Sequence, residues 1–225
     1  MAIKRGPHII TDGLVFSVDA GSPRSYAGSG TGVTNLIGKQ SGTLINGTGF
    51  SSANGGSWDF DGSNDYINFP DDTALNLQTL TMESWSKLDG TVNQSAFLFE
   101  KGSVNTQYSN FYNGSNNFYF RTKGLSTEDL VISPTTSYIS LGAWVHIVCT
   151  YVTGTKTIYI DGVQKAQQTG ITGTISTNTQ MYIGAYGRGV SYFTNGKIAL
   201  SRVYNRSLTV DEVLHNYNAQ KNRFS

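Results

Sequence analysis

The sequence predicts an all-β protein in which two antiparallel sheets pack face to face. The strongest observation is the segment Trp144 to Lys165, where three short runs rich in aromatic and β-branched residues are separated by turn residues. Asp161-Gly162 is one of the strongest two-residue hairpin signals. Both faces of the first run are largely apolar, so we expect this strand to lie inside a two-layer structure. The two faces are Trp144, His146, Val148 and Thr150 on one side, and Val145, Ile147, Cys149 and Tyr151 on the other.

The remaining strands follow from the same alternation of apolar and polar residues. We expect short strands within the Gly-, Ser- and Asn-rich stretch 24–56, because it is too long for an ordinary loop. Asp61-Gly62 is a turn inside 57–69, and Asn113 to Asn116 separates two aromatic runs as a hairpin turn would. The other predicted strands are 14–18, 81–86, 96–99, 111–121, 130–132, 138–141, 171–176, 181–184 and 197–204.

One helix is predicted near the C-terminus, at residues 209–218. Thr209 and Glu212 form a capping box, and Leu208 and Val213 are spaced for the hydrophobic staple that accompanies it. Val213, Leu214 and Tyr217 share one face of this helix. A helix of about ten residues is marginal alone, so we expect it to dock on a sheet, with Phe224 either anchoring the tail or reaching a partner.

The length of 225 residues is consistent with one domain that can bury a large core without a metal or a disulfide. We assign 13–225 to this domain and 1–12 to an N-terminal arm, which is either frayed or laid on a neighbouring subunit. The single cysteine, Cys149, excludes an internal disulfide, and we expect it to be a small buried apolar residue.

Charge and hydropathy exclude several classes of function. The net charge of +1 does not support binding to nucleic acid or to an anionic membrane. No apolar run follows the basic residues near the N-terminus, so we expect no signal peptide, and no segment approaches the ~20 apolar residues that span a bilayer. We therefore expect synthesis in a cytoplasm and no membrane insertion.

The central hairpin resembles the signature hairpin of laminin G-like domains of the concanavalin A-like lectin/glucanase superfamily. The resemblance rests on the pattern W-V-H-I-V-x-T-Y followed by I-Y-I-D-G-V, and it runs from about residue 12 to the C-terminus. It implies a jelly-roll sandwich, but that superfamily includes lectins, glycosidases, adhesion modules and viral structural proteins. The other stretches that agree with it are Gly13–Gly21, Trp58–Ile67, Met181–Ala185 and Gly196–Tyr204.

The sequence does not favour catalysis. Glycosidases of this superfamily typically carry carboxylates on alternate residues of one strand, and in this chain no glutamate has a carboxylate two residues away. Asp59 and Asp61 have that spacing, yet Asp61 belongs to the Asp-Gly turn. No Gly-x-Ser-x-Gly elbow occurs, and His8, His146 and His215 lack the close spacing of a zinc site. We expect His146 to be a core residue.

Calcium is the metal that the resemblance implies, since many relatives hold one Ca²⁺ on a rim of the sandwich. Asp61, Asn64 and Asp65 cluster in one segment and supply the oxygen ligands that Ca²⁺ requires. The same residues are also ordinary turn formers, because Asp and Asn side chains bond their own backbone in tight turns. The sequence leaves both interpretations open.

A glycan site needs exposed aromatic side chains beside polar groups that form hydrogen bonds. Two stretches supply both. We place the site in the loop before the last strand, because the alternation of Phe118 and Phe120 with Tyr119 describes mainly a core-facing strand. The chosen residues are Tyr186, Arg188, Tyr192 and Asn195; the competing stretch contains Tyr108, Tyr112, Tyr119, Asn110, Asn113 and Asn116.

The two ends of the domain are similar to laminin G-like virion proteins of tailed bacteriophages. These ends are residues 13–31 and 216–224. The similarity implies a non-enzymatic structural or adhesion protein of the particle, in the capsid, tail or fibre, which assembles with other virion proteins or with copies of itself and binds a host-surface glycan. Its location would be the virion. The alternatives are a free carbohydrate-binding lectin and, more remotely, a glycosidase.

Overall fold

Two antiparallel sheets of eight strands each form a sandwich in the computed structural model, which describes residues 8–38, 40–89, 95–102, 106–133, 137–187 and 191–225. The strands in chain order are β1 (Leu14–Asp19), β2 (Gly32–Thr34), β3 (Ser41–Ile45), β4 (Gly49–Ser51), β5 (Ser57–Asp61), β6 (Tyr66–Phe69), β7 (Leu80–Leu88), β8 (Ala96–Gly102), β9 (Thr106–Asn113), β10 (Asn117–Thr122), β11 (Asp129–Ile132), β12 (Val145–Val152), β13 (Thr155–Ile160), β14 (Val163–Gln168), β15 (Met181–Ile183) and β16 (Asn195–Tyr204). A single α-helix among these residues, α1, spans Val210–Gln220.

The connections cross repeatedly between the sheets, as a jelly roll requires. Sheet A has the order β14-β13-β12-β7-β16-β5-β4, with β1 also paired to β16. Sheet B has the order β11-β10-β9-β8-β15-β6-β3-β2. The predicted fold class is confirmed.

The core lies between the two sheets and is rich in aromatic rings. Phe16 of sheet A meets Phe69 of sheet B edge to face, with ring centroids 5.2 Å apart, and Trp58 is fully buried. Gly184 allows one close approach between the layers: it adopts φ +91, and a Cβ there would lie 2.6 Å from the Phe60 ring. A side chain at this position would force the sheets apart.

The central strand β12 behaves as the two apolar faces predict. Val145, Ile147, Cys149 and Tyr151 enter the core between the sheets. On the outer face, Val148 lies under α1, and the fully buried His146 ring packs at a tilt against Trp85, with ring centroids 5.2 Å apart. Cys149 is buried, as expected.

Two predicted strands differ from the structure. Residues 138–141 and 171–176 do not form strands. In the second stretch, Gly173 forms an isolated β-bridge with Leu125. The strand, Asp61-Gly62 turn and strand predicted in 57–69 are present, with β5 before the turn and β6 after it. The turn is a corner between the sheets, because β5 belongs to sheet A and β6 to sheet B. The short strands expected in 24–56 are present as β2, β3 and β4.

Helix α1 begins with the predicted capping box, in which the Thr209 hydroxyl and the Glu212 carboxylate each accept a backbone N–H of the other residue. Leu208 and Val213 are buried together with Leu14 and Tyr204 of sheet A. The predicted apolar face is wrong in one position. Leu214 is 42% exposed, whereas Asn216 is fully buried, because a carboxylate beneath the helix supplies Asn216 with a hydrogen-bond partner.

That carboxylate is Glu83, which lies on the outer face of sheet A and joins four elements. One oxygen is 2.9 Å from His146 Nε2 on β12 and accepts a hydrogen bond of 3.3 Å from Arg202 Nη1 on β16. The other accepts from the Tyr204 hydroxyl at 3.2 Å and from Asn216 Nδ2 at 3.1 Å. A buried charge is tolerated when it is paired and hydrogen-bonded in this way.

The electrostatic consequence is a strongly acidic Glu83. Burial by itself would raise the pKa of this carboxyl, but the charge of Arg202 and the hydrogen bonds from His146 and Tyr204 outweigh burial and lower the pKa to about 2.

Residues 8–12, which belong to the predicted arm, pack against the same chain. The Ile10 amide donates to Asn216 Oδ1 at 2.8 Å, and the Ile10 carbonyl oxygen lies 3.1 Å from the Tyr204 hydroxyl oxygen. The His8 carbonyl lies 2.7 Å from His215 Nε2. This contact concerns residues 8–12; residues 1–7 of the predicted arm lie outside the described residues, and the choice between a frayed arm and one laid on a neighbouring subunit stays a prediction.

We predict that Glu83→Ala lowers the free energy of unfolding by about 3–5 kcal/mol, because it leaves the Arg202 charge buried without its partner. The folded-state pKa of Glu83 lies below the ordinary glutamate value of 4.5, so its contribution is present above pH 4.5 and is lost as the pH falls toward 2. Urea denaturation of both proteins across this range measures the difference.

Glu128→Ala is the matched control, because Glu128 pairs with Lys123 at a site where both side chains are about two-fifths exposed. Its cost should stay below about 1 kcal/mol. Equal losses in the two variants would show that Glu83 is no more important than a surface ion pair.

Candidate functional site

The outer face of sheet B carries three stacked aromatic rings on adjacent strands. Phe97 of β8, Phe111 of β9 and Tyr119 of β10 are direct cross-strand neighbours. The centroids of Phe97 and Phe111 are 4.3 Å apart, those of Phe111 and Tyr119 are 4.9 Å apart, and the planes are parallel within 6°. Phe97 and Phe111 are buried. They form a floor, and Tyr119 remains partly accessible at its end.

Two further tyrosines form a wall beside this floor. Tyr186 and Tyr192 come from the connection between β15 and β16, and an isolated bridge pairs Tyr186 with Ser191. The Tyr186 ring lies 4.8 Å from Phe97 and 5.8 Å from Tyr192, measured between centroids. The two tyrosines therefore overhang the floor and leave an open groove.

Tyr192 is held in an unusual backbone conformation. Its φ is 53°, in the left-handed region that bulky residues rarely adopt and that costs about 1–3 kcal/mol. Phe97 donates its backbone N–H to the Tyr192 carbonyl at 3.3 Å, which holds the loop on β8. The side chain is nonetheless 42% exposed. Residues in such strained backbone conformations cluster at active sites and ligand-binding sites.

Polar groups line the other parts of the groove, whose volume is about 420 Å³. Asn113 Nδ2 donates to the Tyr119 hydroxyl at 3.2 Å, and Ser95 lies at the rim. The Arg121 guanidinium lies over Phe111, 5.0 Å from the ring centroid, and forms a two-pronged ion pair with Asp129 at 2.8 and 2.7 Å. The groove thus combines aromatic surface with donors and acceptors in fixed positions.

Glu100 holds the tyrosine loop from within the protein. Its carboxyl is buried and accepts the Gly187 amide at 2.7 Å and the Thr106 hydroxyl at 2.8 Å. Burial raises the pKa of Glu100 to about 7, although both hydrogen bonds and the Arg121 charge oppose the rise. Since Gly187 follows Tyr186 directly, Glu100 positions the groove wall without reaching solvent.

The structure brings together parts of both stretches that the sequence analysis considered for glycan binding. Tyr186 and Tyr192 face Tyr119 and Asn113 of the competing stretch. Asn195 does not line the groove: it pairs with Asp61 in sheet A. Arg188 lies outside the described residues.

The rest of the competing stretch is structural or lies in a turn. Tyr108, Tyr112 and Asn110 are buried, and Asn116 lies in the β9–β10 turn, which is a hairpin as predicted. Sequence reasoning did not select Phe97, Phe111 and Arg121. The period-two alternation places them on the outer face, but it does not show that a distant loop would cover them.

The carboxylates considered for catalysis have structural partners. Asp59 pairs with Lys197. Asp61 Oδ1 accepts the backbone amides of Ser63 at 2.8 Å and Asn64 at 3.3 Å, which is the hydrogen bonding of an ordinary Asp turn. Neither residue lines the aromatic groove.

Comparison with protein-family models matches residues 61–214 to a laminin G model described as the concanavalin A-like lectin/glucanases superfamily. The chain belongs to this superfamily. Its sandwich is that of a lectin-like domain. Comparison with curated protein sequences gives no match. No helix in the described part of the chain is long and apolar enough to cross a membrane.

Solved structures share the superfamily fold at low sequence identity. A Trypanosoma rangeli sialidase has a TM-score of 0.70 and 16% identity, covering 96% of this chain and 34% of its own length. The binding domain of Paraclostridial Mosquitocidal Protein 1 has a TM-score of 0.69 and 18% identity, covering 91% of this chain and 52% of its own length. A mutant of HCR/D has a TM-score of 0.71 and 11% identity, covering 93% and 52%. The chain spans about a third of the sialidases it matches, and the likeness concerns fold.

The calcium expected from the superfamily finds a partial fit. Asp65 is buried, and its Oδ1 accepts no hydrogen bond. The lone pairs of this oxygen are therefore available to a cation. Its Oδ2 accepts the Asp61 amide at 3.2 Å. Burial, together with the negative charges of Asp61 and Asp59, raises the pKa of Asp65, and a bound cation would relieve this. The Asn64 carbonyl is bonded to Asn46, so Asp65 is the strongest of the three candidate ligands.

We predict that the melting temperature rises on addition of CaCl₂ and that Asp65→Ala abolishes this rise, because the variant removes the unpartnered buried oxygen. Differential scanning fluorimetry with and without a chelator measures the effect, with MgCl₂ as the control for ionic strength. An unmutated protein whose melting temperature is insensitive to calcium would rule out the site.

Proposed function

We propose that this chain is a non-enzymatic adhesion domain that binds a host-surface glycan in the groove formed by Tyr119, Tyr186 and Tyr192. The observation that carries the proposal is the exposed Tyr192 ring, held in a strained conformation above a floor of stacked aromatic residues.

The chemistry of the groove suits a sugar. Sugar rings have apolar C–H faces that pack on aromatic rings and hydroxyl groups that need hydrogen-bond partners at the edges. Tyr186 and Tyr192 offer the aromatic surface, while Asn113, Tyr119 and Arg121 offer polar atoms around it. A volume of about 420 Å³ falls within the range of small-ligand sites, about 300–1,000 Å³.

Adhesion is favoured over hydrolysis by the state of the carboxylates nearby. A typical glycosidase places two carboxyls about 5–10 Å apart on either side of the sugar bond. Near this groove, Glu100 is buried beneath the loop and accepts the Gly187 amide, and Asp129 forms an ion pair with Arg121. Neither is free to protonate a leaving group or to activate a water, so the proposal assigns no catalytic residue.

The proposed setting is the particle of a tailed bacteriophage. The similarity of residues 13–31 and 216–224 to laminin G-like virion proteins supports it. In the same setting we propose that neighbouring virion proteins, or further copies of the chain, are the partners. The similarity in fold to a toxin's binding domain is in keeping with a recognition role.

We predict that Tyr192→Ala weakens glycan binding at least about tenfold, a loss of about 1.4 kcal/mol, because it removes the exposed stacking surface. A glycan array identifies a ligand, and isothermal titration with that ligand measures the loss. Tyr138→Ala is the matched control, since Tyr138 is 44% exposed but lies over Lys165, outside the groove. Unchanged affinity in Tyr192→Ala would overturn the placement, and release of reducing sugar would favour a glycosidase.

We also predict that purified particles contain this 24.4 kDa chain in fixed proportion to their other structural proteins. Quantitative mass spectrometry of density-gradient-purified virions measures the ratio. A chain found only in the unassembled fraction of the lysate would favour a free lectin instead.

A further inference from the structure

We propose that the groove selects uncharged glycans and discriminates against sialylated or other anionic ones, because Arg121 is already neutralised by Asp129. This inference rests on the proposed glycan binding and specifies its ligand class.

Arg121 alone is charged among the described residues that line the groove. It faces Asp129 directly in the register of β10 and β11. Nε donates to Oδ1 at 2.8 Å, and Nη2 donates to Oδ2 at 2.7 Å, so one complete edge of the guanidinium is occupied. An arginine binds a carboxylate most strongly through such a two-pronged contact. That edge is therefore not available to the carboxylate of an acidic sugar.

The ion pair is held rigidly as well as neutralised. Both partners project from paired strands, and the guanidinium also lies against the Phe111 ring. Their side chains are 27% and 28% exposed, so solvent screens the pair only partly. An anionic ligand would have to displace Asp129 or bind beside its negative charge. A neutral sugar hydroxyl needs only a single hydrogen bond from Arg121 and meets no repulsion.

The other charged side chains near the groove are buried, paired or absent from its lining. Glu100 lies beneath the loop, and Arg121 is close enough to influence its ionisation. With a pKa of about 7, the Glu100 carboxyl carries part of a negative charge at neutral pH. Lys123, which directly follows β10, is paired with Glu128. Lys156 is fully buried, donates to the backbone carbonyls of Thr127 and Glu128, and does not line the groove. Among the described residues, the lining of the groove therefore offers an anion no cation without a partner.

The proposed ligand of this chain differs in charge from the acidic sugar that is bound in some structural neighbours. One of those neighbours is a sialidase in complex with sialic acid, which carries a carboxylate. At 16% identity the likeness concerns the fold, so the ligand class must come from the groove itself.

The test compares matched neutral and acidic probes: lactose with sialyllactose, and oligosaccharides of glucose with those of glucuronic acid. An array covers all of them, and titration measures the best pair. We expect the neutral member to bind at least about tenfold more tightly than its acidic counterpart. We also expect its affinity to change less than about twofold between roughly 0.05 and 0.5 M NaCl, because an uncharged ligand leaves no charge pair to screen.

Asp129→Asn tests the cause, because it removes the negative charge while keeping the size of the side chain. The variant should gain about tenfold in affinity for the acidic probe, and this gain should weaken with salt. Asp59→Asn is the matched control: it makes the same change of charge beside Lys197, outside the groove, and should gain nothing. Circular dichroism confirms that both variants are folded.

The outcomes distinguish this inference from the proposed function. Tighter binding of the acidic probe by the unmutated protein, still lost in Tyr192→Ala, would overturn the neutral ligand class and leave glycan binding intact. Equal gains in Asp129→Asn and Asp59→Asn would overturn the role of the ion pair. Binding of no probe at all would overturn the glycan site and this inference together.

Discussion

The buried carboxylate of Glu83 is the interaction on which the arrangement of this molecule depends. It connects β7 to β12 and β16 within sheet A and reaches outward to Asn216 of helix α1. A shift of the helix would remove the hydrogen bonds that Asn216 makes to Glu83 and Gln220 makes to Arg202, and a buried charge that loses its partners is costly. Asn216 in turn binds the backbone of Ile10, so the N-terminal segment is held by the same network. One face of the sandwich is thereby covered by the chain itself.

This covering leaves the outer face of sheet B for recognition. There the floor of the groove is built on the hydrogen-bonded strands β8, β9 and β10, and its side chains are already in contact with one another. The wall depends on a loop held by Glu100 and by the backbone of Phe97. A site held in this way loses little conformational entropy when a ligand binds. This lower cost favours the binding of polar ligands such as sugars.

The sequence was most informative where local chemistry decides the outcome. The apolar residues on both faces of β12 predicted a strand inside the sandwich, the capping box predicted the start of α1, and Asn113 to Asn116 predicted a hairpin. Local signals did not decide the tertiary role of every residue. Asp61-Gly62 forms a turn in either a hairpin or a corner between sheets. Likewise, helical periodicity places Leu214 beside Val213, but it cannot indicate that Asn216 is the residue with a buried partner.

The sequence by itself determined the fold class, the strand faces and the presence of tyrosines suited to a sugar, because these follow from side-chain periodicity and turn chemistry within a few residues. Only the tertiary structure decided which tyrosines meet. Tyr119 and Tyr192 are more than seventy positions apart, and they line one groove because β8, paired to β9 and held to the tyrosine loop, connects their elements. The neutralisation of Arg121 is likewise a matter of strand register, since a shift of one residue would turn Asp129 to the other face of the sheet.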